Sequence, residues 1–150
     1  MPKLSFETPV GPLSLQEEAG FIVKLDWSDQ GDDLTHVLSE ARAQIEAYFA
    51  GRLTQFDVPL RVDASPFVRQ VCAIMQEIPF GETRTYGDIA KELGIAAQPV
   101  GRACGANPIP VLIPCHRILG ANGLGGFSGG VGVETKVALL KHEGAAGLLL

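Results

Sequence analysis

The chain has 150 residues, enough for one ordinary domain or two small lobes, and long enough to bury a core without disulfides. Hydrophobic residues at 46% and charged residues at 19% describe a soluble globular protein, and no apolar run reaches the roughly 18 residues of a membrane helix. A net charge of -5 weighs against an indiscriminate nucleic-acid binder, and three cysteines without CxxC spacing, Cys72, Cys104 and Cys115, argue against a disulfide framework and a structural zinc site.

The start, "MPKLSFETPVG", has no charged head followed by an apolar stretch, so the expected address is the cytoplasm, with no membrane partner. Residues 4 to 27 read as short strands punctuated by Gly11-Pro12 and Gly20. After the break at "QGDD", apolar residues at 34, 37, 38, 41, 45, 48 and 49 have helical spacing, and Gly51 follows as a stop. His36 on this helix reads as solvated. "QFDVPLRVDA" reads as a strand or extended linker to the remainder.

A second helix is expected from Ser65 as cap and Pro66 as first residue, with Phe67, Val71, Ile74, Met75 and Ile78 on its core face. "FGETRTYGDIAKELG" supplies a turn at Gly81, a cap at Thr85 with Asp88 three residues on, and a helix closed by Gly94. Pro99 then opens a short helix ended by Gly105 or Asn107. Two short helices with a tight glycine-containing connection have the form of a helix-turn-helix, which also occurs in proteins that never touch DNA. Between Thr83 and Arg117 the chain carries Arg84, Lys91, Arg102 and Arg117 against Asp88 and Glu92, so a local basic face is compatible with the acidic total. "GANGLGGFSGGVG" holds seven glycines in thirteen residues but lacks the phosphate-loop pattern. Glu134 to His142 is the last expected helix, with Gly144 as its stop.

The stretch "IPVLIPCHRILG" carries the chemistry. Ile109 to Ile113 predicts a buried extended segment, and Pro108, Pro110 and Pro114 keep it out of a central ladder. A thiol there is partly dry and inert unless something favours the thiolate. His116 and Arg117 are the candidates, yet in a strand His116 points away from Cys115. It reaches the thiol only through a turn after Pro114 or through a water. On these residues alone the simpler reading of Cys115 is a small core residue. Cys72 and Cys104 read the same way, and His142 and Glu143 read as a helix end.

Taken together, "SPFVRQVCAIMQEIPFGETRTYG", "RTYGDIAKELG", "NPIPVLIPCHRILG", "GGFSGG" and "LLKHEG" closely resemble the O6-alkylguanine-DNA alkyltransferase family, the methylated-DNA-protein-cysteine S-methyltransferases. The match covers residues 62 to 145, and PCHR with its upstream Asn-Pro is its most specific part; the first 60 residues fit the family's variable N-terminal lobe in outline. The resemblance implies an α/β (α+β) architecture: a ribonuclease-H-like sheet-plus-helix lobe at 1–60, then a helical DNA-binding and acceptor domain at 61–150 with the helix-turn-helix.

The resemblance also implies single-use, direct-reversal repair. Cys115 would accept the alkyl group from O6 of a flipped guanine, His116 would take the thiol proton through a water, and Glu143 would hold the other ring nitrogen. Tyr86 would protonate guanine N3 and crowd the target phosphate, and Asn107 would bind backbone across the turn. Pro110, Ile118, Phe127 and Ser128 would line the base pocket. Arg84, Thr85, Gly101, Arg102 and Cys104 would lie on or near the DNA-facing helices. The expected partner is double-stranded DNA bearing O6-alkylguanine, with O4-alkylthymine a second candidate lesion, bound through the minor groove by a monomer.

The chain departs from the family pattern where the intercalating arginine falls on Gln98. Because Pro99 follows, Gln98 is expected just outside the helix, in extended conformation. The connection between the two helices is also about two residues shorter than usual for the resemblance, with the last helix reached by a slightly longer path. No cofactor is expected, and no zinc, since residues 1 to 60 have no cysteine and only His36. A non-catalytic lesion sensor and a cysteine hydrolase are the alternatives; an intact Cys115 argues against the first, and the adjacency of Cys115 and His116 against the second.

Overall fold

The computed structural model describes residues 1–127 and 129–147. Three strands open the chain, β1 (Lys3–Thr8), β2 (Gly11–Glu18) and β3 (Phe21–Asp26), paired antiparallel in sequence order. Gly11 at φ 101° and Gly20 at φ 85° make the two reversals in a region that a Cβ disfavours. Alternation puts Leu4, Phe6, Leu13, Leu15 and Leu25 in the core. Across them lies α1 (His36–Phe49), which buries Leu38, Ala41, Ile45 and Tyr48 at helical spacing. Thr35 caps α1 by accepting from the Leu38 amide, so Leu34, counted from spacing as the first helical residue, precedes the cap and is exposed. The linker is extended, and one parallel bridge from Leu60 to Ile22 fastens it to β3.

The second half is helical. Ser65 caps α2 (Pro66–Gln76), with Pro66 in the first turn where its missing amide costs nothing. Thr85 and Asp88 form a reciprocal capping box on α3 (Tyr86–Leu93), and Gly94 closes that helix at φ 69°. A three-residue connection leads to α4 (Ala97–Gly105), and α5 (Val133–Glu143) ends at Gly144, φ 65°. One apolar cluster runs through both halves, from Leu4 to Leu139. No helix among the described residues is long and apolar enough to cross a membrane.

Three local features differ from the sequence reading. Helix α4 begins at Ala97, so Gln98 and Pro99 are its second and third residues and Gln98 is helical. A proline there gives up an amide that has no intrahelical acceptor, and the carbonyl its ring would strike, four residues back at Ile95, is outside any helix. Ile109 to Ile113 is a reversal and not a strand: the Ile113 amide donates to Ile109 O at 2.9 Å, and Val111 sits at φ 73°. A β-branched residue there is strained by about 1–3 kcal/mol, held by the packing around it. Finally, a parallel pair of two-residue strands, β4 (Arg84–Thr85) and β5 (Ile118–Leu119), ties the start of α3 to the chain just past Cys115. Strands this short have no readable periodicity.

Candidate active site

Cys115, His116 and Arg117 form a single 3₁₀ turn after Pro114, so neighbouring side chains do not alternate as in a strand. Cys115 is partly exposed, whereas His116 is fully buried. His116 Nε2 lies 2.8 Å from Glu143 Oε2 at the end of α5. Opposite an ionised carboxylate this nitrogen carries the hydrogen, which makes Nδ1 an acceptor. Nδ1 is buried and has no hydrogen-bond partner among the described residues.

Glu143 is held by three side chains from two elements, His116 and Arg117 of the 3₁₀ turn and Tyr48 of α1. Arg117 Nε donates to Oε1 at 2.8 Å and Nη2 to Oε2 at 2.9 Å, a bidentate pair, while Tyr48 Oη from α1 donates to Oε2 at 2.6 Å. Arg117 Nη1 donates onward to Ile78 O at 2.6 Å. Burial alone would raise the Glu143 carboxyl, but the hydrogen bonds from His116, Arg117 and Tyr48 outweigh it and hold it at about 2. Arg117 therefore neither faces the thiol nor contributes to a basic surface, contrary to its place in the sequence-derived charge count. Arg84 is likewise paired, with Glu92 at 3.2 Å, leaving exposed Arg102 on α4 and Lys91 on α3 as the cations of that face.

Burial pushes the Cys115 thiol up, with the Asn107 side chain and the Lys136 charge pulling partly back. Burial also lowers His116, against the pull of Glu143. The resting pair is a thiol beside a neutral imidazole. Asn107 pins the reversal above it: Nδ2 donates to Ile113 O and Oδ1 accepts from the Ile109 amide, each at 2.9 Å.

Cys115 faces two cavities. One, of about 390 Å³, is lined by Tyr86, Gly101, Cys104, Cys115, Gly126 and Phe127. The other, about 400 Å³, reaches toward β3 and includes Trp27, Asn107 and Pro110, with Cys104, Cys115 and Phe127 common to both. Phe127 packs edge-on against Trp27, ring centroids 5.9 Å apart. The glycine loop is shaped around Tyr86: a Cβ at Gly125 would come within 2.9 Å of its ring. A larger cavity of about 680 Å³, between the linker and the end of α2, has Arg117 in its wall but no cysteine among its lining residues.

Of the residues singled out from the sequence, Cys115, His116, Glu143, Tyr86, Asn107, Pro110, Gly101, Cys104 and Phe127 thus meet around one site. Ile118 lies beneath it, buried in β5; Thr85 is committed to its cap; Gln98 and Arg102 stand exposed on α4; Ser128 lies outside the described residues. The sequence reading missed Tyr48, Trp27 and Lys136. Lys136 is completely buried and its ammonium donates to Ile118 O at 2.5 Å and Gly126 O at 3.2 Å, bridging β5 to the glycine loop. Nothing in the sequence marks it, since a lysine one residue before Val137 reads as helix surface.

Comparison with known proteins bears on this arrangement. The family model described as "6-O-methylguanine DNA methyltransferase, DNA binding domain" matches residues 66–145, and the "ribonuclease-like domain" of the same family matches residues 3–62. A methylated-DNA--protein-cysteine methyltransferase of Methanosarcina acetivorans is 42% identical over 93% of this chain and 96% of its own. The constitutive enzyme of that name from Bacillus subtilis is 37% identical over 91% and 92%. A crystal structure of Mycobacterium tuberculosis OGT in complex with DNA superposes with TM-score 0.85 at 40% identity, covering 96% of this chain and 93% of that one. With the matches spanning both lobes and the PCHR segment, the chain belongs to the 6-O-methylguanine DNA methyltransferase family.

Proposed function

We propose that the chain repairs double-stranded DNA by moving the alkyl group of a flipped-out O6-alkylguanine onto Cys115, once per molecule. The carrying observation is the buried His116, whose Nε2 is fixed by Glu143 while its Nδ1, on the residue next to the thiol, has no partner among the described residues. Buried acceptors in folded proteins are nearly always satisfied, and a water between Nδ1 and the thiol both satisfies this one and carries the proton.

The steps balance as a single displacement. The Cys115 proton passes through that water to His116 Nδ1, and the resulting imidazolium is stabilised by Glu143. Sγ attacks the alkyl carbon as the C–O6 bond breaks, with the electron pair leaving on O6. Tyr86 Oη donates a proton to N3, so the departing base is neutral guanine. The product thioether has no hydrolytic route back to thiol, which limits each molecule to one event. Because the thiol and imidazole are both uncharged at rest, proton removal accompanies attack.

Access requires the nucleotide to leave the stack, and the cavity between Tyr86 and Phe127 is the pocket that receives it. The small residues of α4 permit close approach to the minor groove, Gln98 fills the gap left by the base, and Arg102 meets a phosphate. A glutamine there brings no charge, so Gln98→Arg steepens the salt dependence of duplex affinity by about one unit of log-log slope. An unchanged slope in a salt titration would overturn this placement of Gln98.

The direct test is mass spectrometry of the peptide containing Cys115 after incubation with methylated duplex DNA. A gain of one methyl group, with guanine restored, is expected. Retained lesion binding without the gain would instead mark a sensor, and turnover of an ester or peptide a hydrolase.

A further inference from the structure

The proton relay uses Cys115, His116 and Glu143, all from the C-terminal half of the chain. Yet the shortest hydrogen bond to the carboxylate comes from the other half: Tyr48 Oη, on the last turn of α1, lies 2.6 Å from Glu143 Oε2. This is the same oxygen that faces His116 Nε2. Tyr48 is 1% exposed, in a cage of Phe49, Phe56, Phe80 and His142, and His142 Nε2 lies 2.7 Å from the Tyr48 carbonyl. The ring fills this aromatic box, the hydroxyl reaches beyond it and is held by its hydrogen bond to Glu143, and nothing in the packing of the sheet on α1 calls for an oxygen at that point.

We propose that Tyr48 is a positioning residue for alkyl transfer: its hydroxyl, delivered by the N-terminal lobe, orients Glu143 Oε2 toward His116 and moderates the hold of that carboxylate on the imidazole proton. A base can accept the thiol proton only while it is neutral, and a bare buried carboxylate 2.8 Å away would keep the imidazole protonated to higher pH. Two donors share that load, Tyr48 and Arg117. The charged and titratable groups facing the His116–Glu143 pair are Arg117 from the 3₁₀ turn, Lys136 on α5, Cys115 beside the ring and Tyr48 from α1; His142 faces Tyr48 from α5. Burial and then Glu143 keep the Tyr48 hydroxyl protonated throughout the working range, so it acts as a fixed donor. The N-terminal lobe, which contributes no nucleophile or base, in this way completes the base that the acceptor needs.

This inference rests on His116 being the base, and the experiment separates the two claims. The rate of alkyl transfer from methylated duplex DNA is measured against pH for the wild-type chain, Tyr48→Phe and Phe56→Leu, alongside NMR titration of the chain's three labelled histidines. Tyr48→Phe removes one oxygen and keeps the ring, and Phe56→Leu loosens the same box without touching Glu143. In wild type the acidic limb of the rate follows the titration of His116. In Tyr48→Phe both move to higher pH together, by about one unit, the differential worth of one hydrogen bond to a buried charge. In Phe56→Leu thermal stability falls and the limb stays in place. A wild-type limb that does not follow His116 defeats the base assignment itself. A limb that follows His116 but does not move in Tyr48→Phe, or that moves equally in Phe56→Leu, defeats the role of Tyr48 alone.

Discussion

Cys115→Ser eliminates alkyl transfer while binding to lesion-bearing duplex persists. Serine is close in size and retains the 3₁₀ turn, the neighbouring base and both cavities, so the substitution tests the sulfur and not the fold. Sulfur at this position is both a strong nucleophile toward a saturated carbon and acidic enough to lose its proton to an imidazole. A serine hydroxyl fails on both counts. The expected record is an unmodified protein mass after prolonged incubation, with a gel-shift or anisotropy isotherm close to wild type. Transfer at a measurable rate would move the acceptor elsewhere, and Cys104, which lines both cavities, would be the next thiol to examine. The wild-type pH profile carries the same information. Because burial raises the Cys115 thiol and lowers His116, the rate is level through neutral pH and declines only where His116 itself takes up a proton, below the ordinary histidine value near 6.5. A rate that instead climbs steadily from about pH 7 to about pH 9 would report a thiol that ionises on its own, with no base.

How much of this was legible beforehand depended on the length scale of the signal. The strands of residues 3–26 and the helices α1, α2, α3 and α5 are written in periodicity, caps and glycine stops, and Thr85 with Asp88 was readable as a cap because both halves of the box lie within one turn. The reversal at Ile109 to Ile113 was not, because a valine in left-handed conformation is among the last residues local preference would put there; long-range packing and the two Asn107 bonds hold it. Pro99 misled for a related reason: its effect on the preceding residue is a bias, and at the third position of a helix nothing in the hydrogen bonding enforces it. In the site, the motif residues Cys115, His116, Asn107, Tyr86 and Glu143 were recognisable. Tyr48 and Lys136 were not, since each looks in sequence like an ordinary helix residue, core and surface respectively. Their partners Glu143, Ile118 and Gly126 lie 95, 18 and 10 positions away. A hydrogen bond to a partner outside its own helix leaves no mark in that helix's pattern.

Glu143→Gln costs stability and activity together, and the two losses can be separated. Glu143 is the counter-charge of a buried Arg117, so a neutral amide leaves a guanidinium with no anion in a site its side chain exposes by only 7%. Removing one partner of such a pair costs about 3–5 kcal/mol, a large part of the roughly 5–15 kcal/mol that hold a domain together. At roughly 2–4 °C per kcal/mol for a chain of this size, the thermal midpoint falls by about 6–20 °C. The acid response changes as well. A carboxyl held at about 2 against an ordinary 4.5 contributes stability that is fully present above pH 4.5 and is lost as pH falls through 2. Wild type therefore loses stability across that window by a term that the Glu143→Gln protein lacks, and the two curves converge toward acid. A second change, Arg117→Met, removes the orphaned charge and restores most of the lost stability, because a well-packed apolar residue can replace a buried ion-pair partner at little cost. Transfer does not return with it. Without the carboxylate, Nε2 loses the partner that fixes the tautomer and steadies the imidazolium, and the rate stays about 10²–10⁴ below wild type. Recovery of the rate in the double variant would show that Glu143 serves only to neutralise Arg117; recovery of stability alone places the carboxylate in the proton relay.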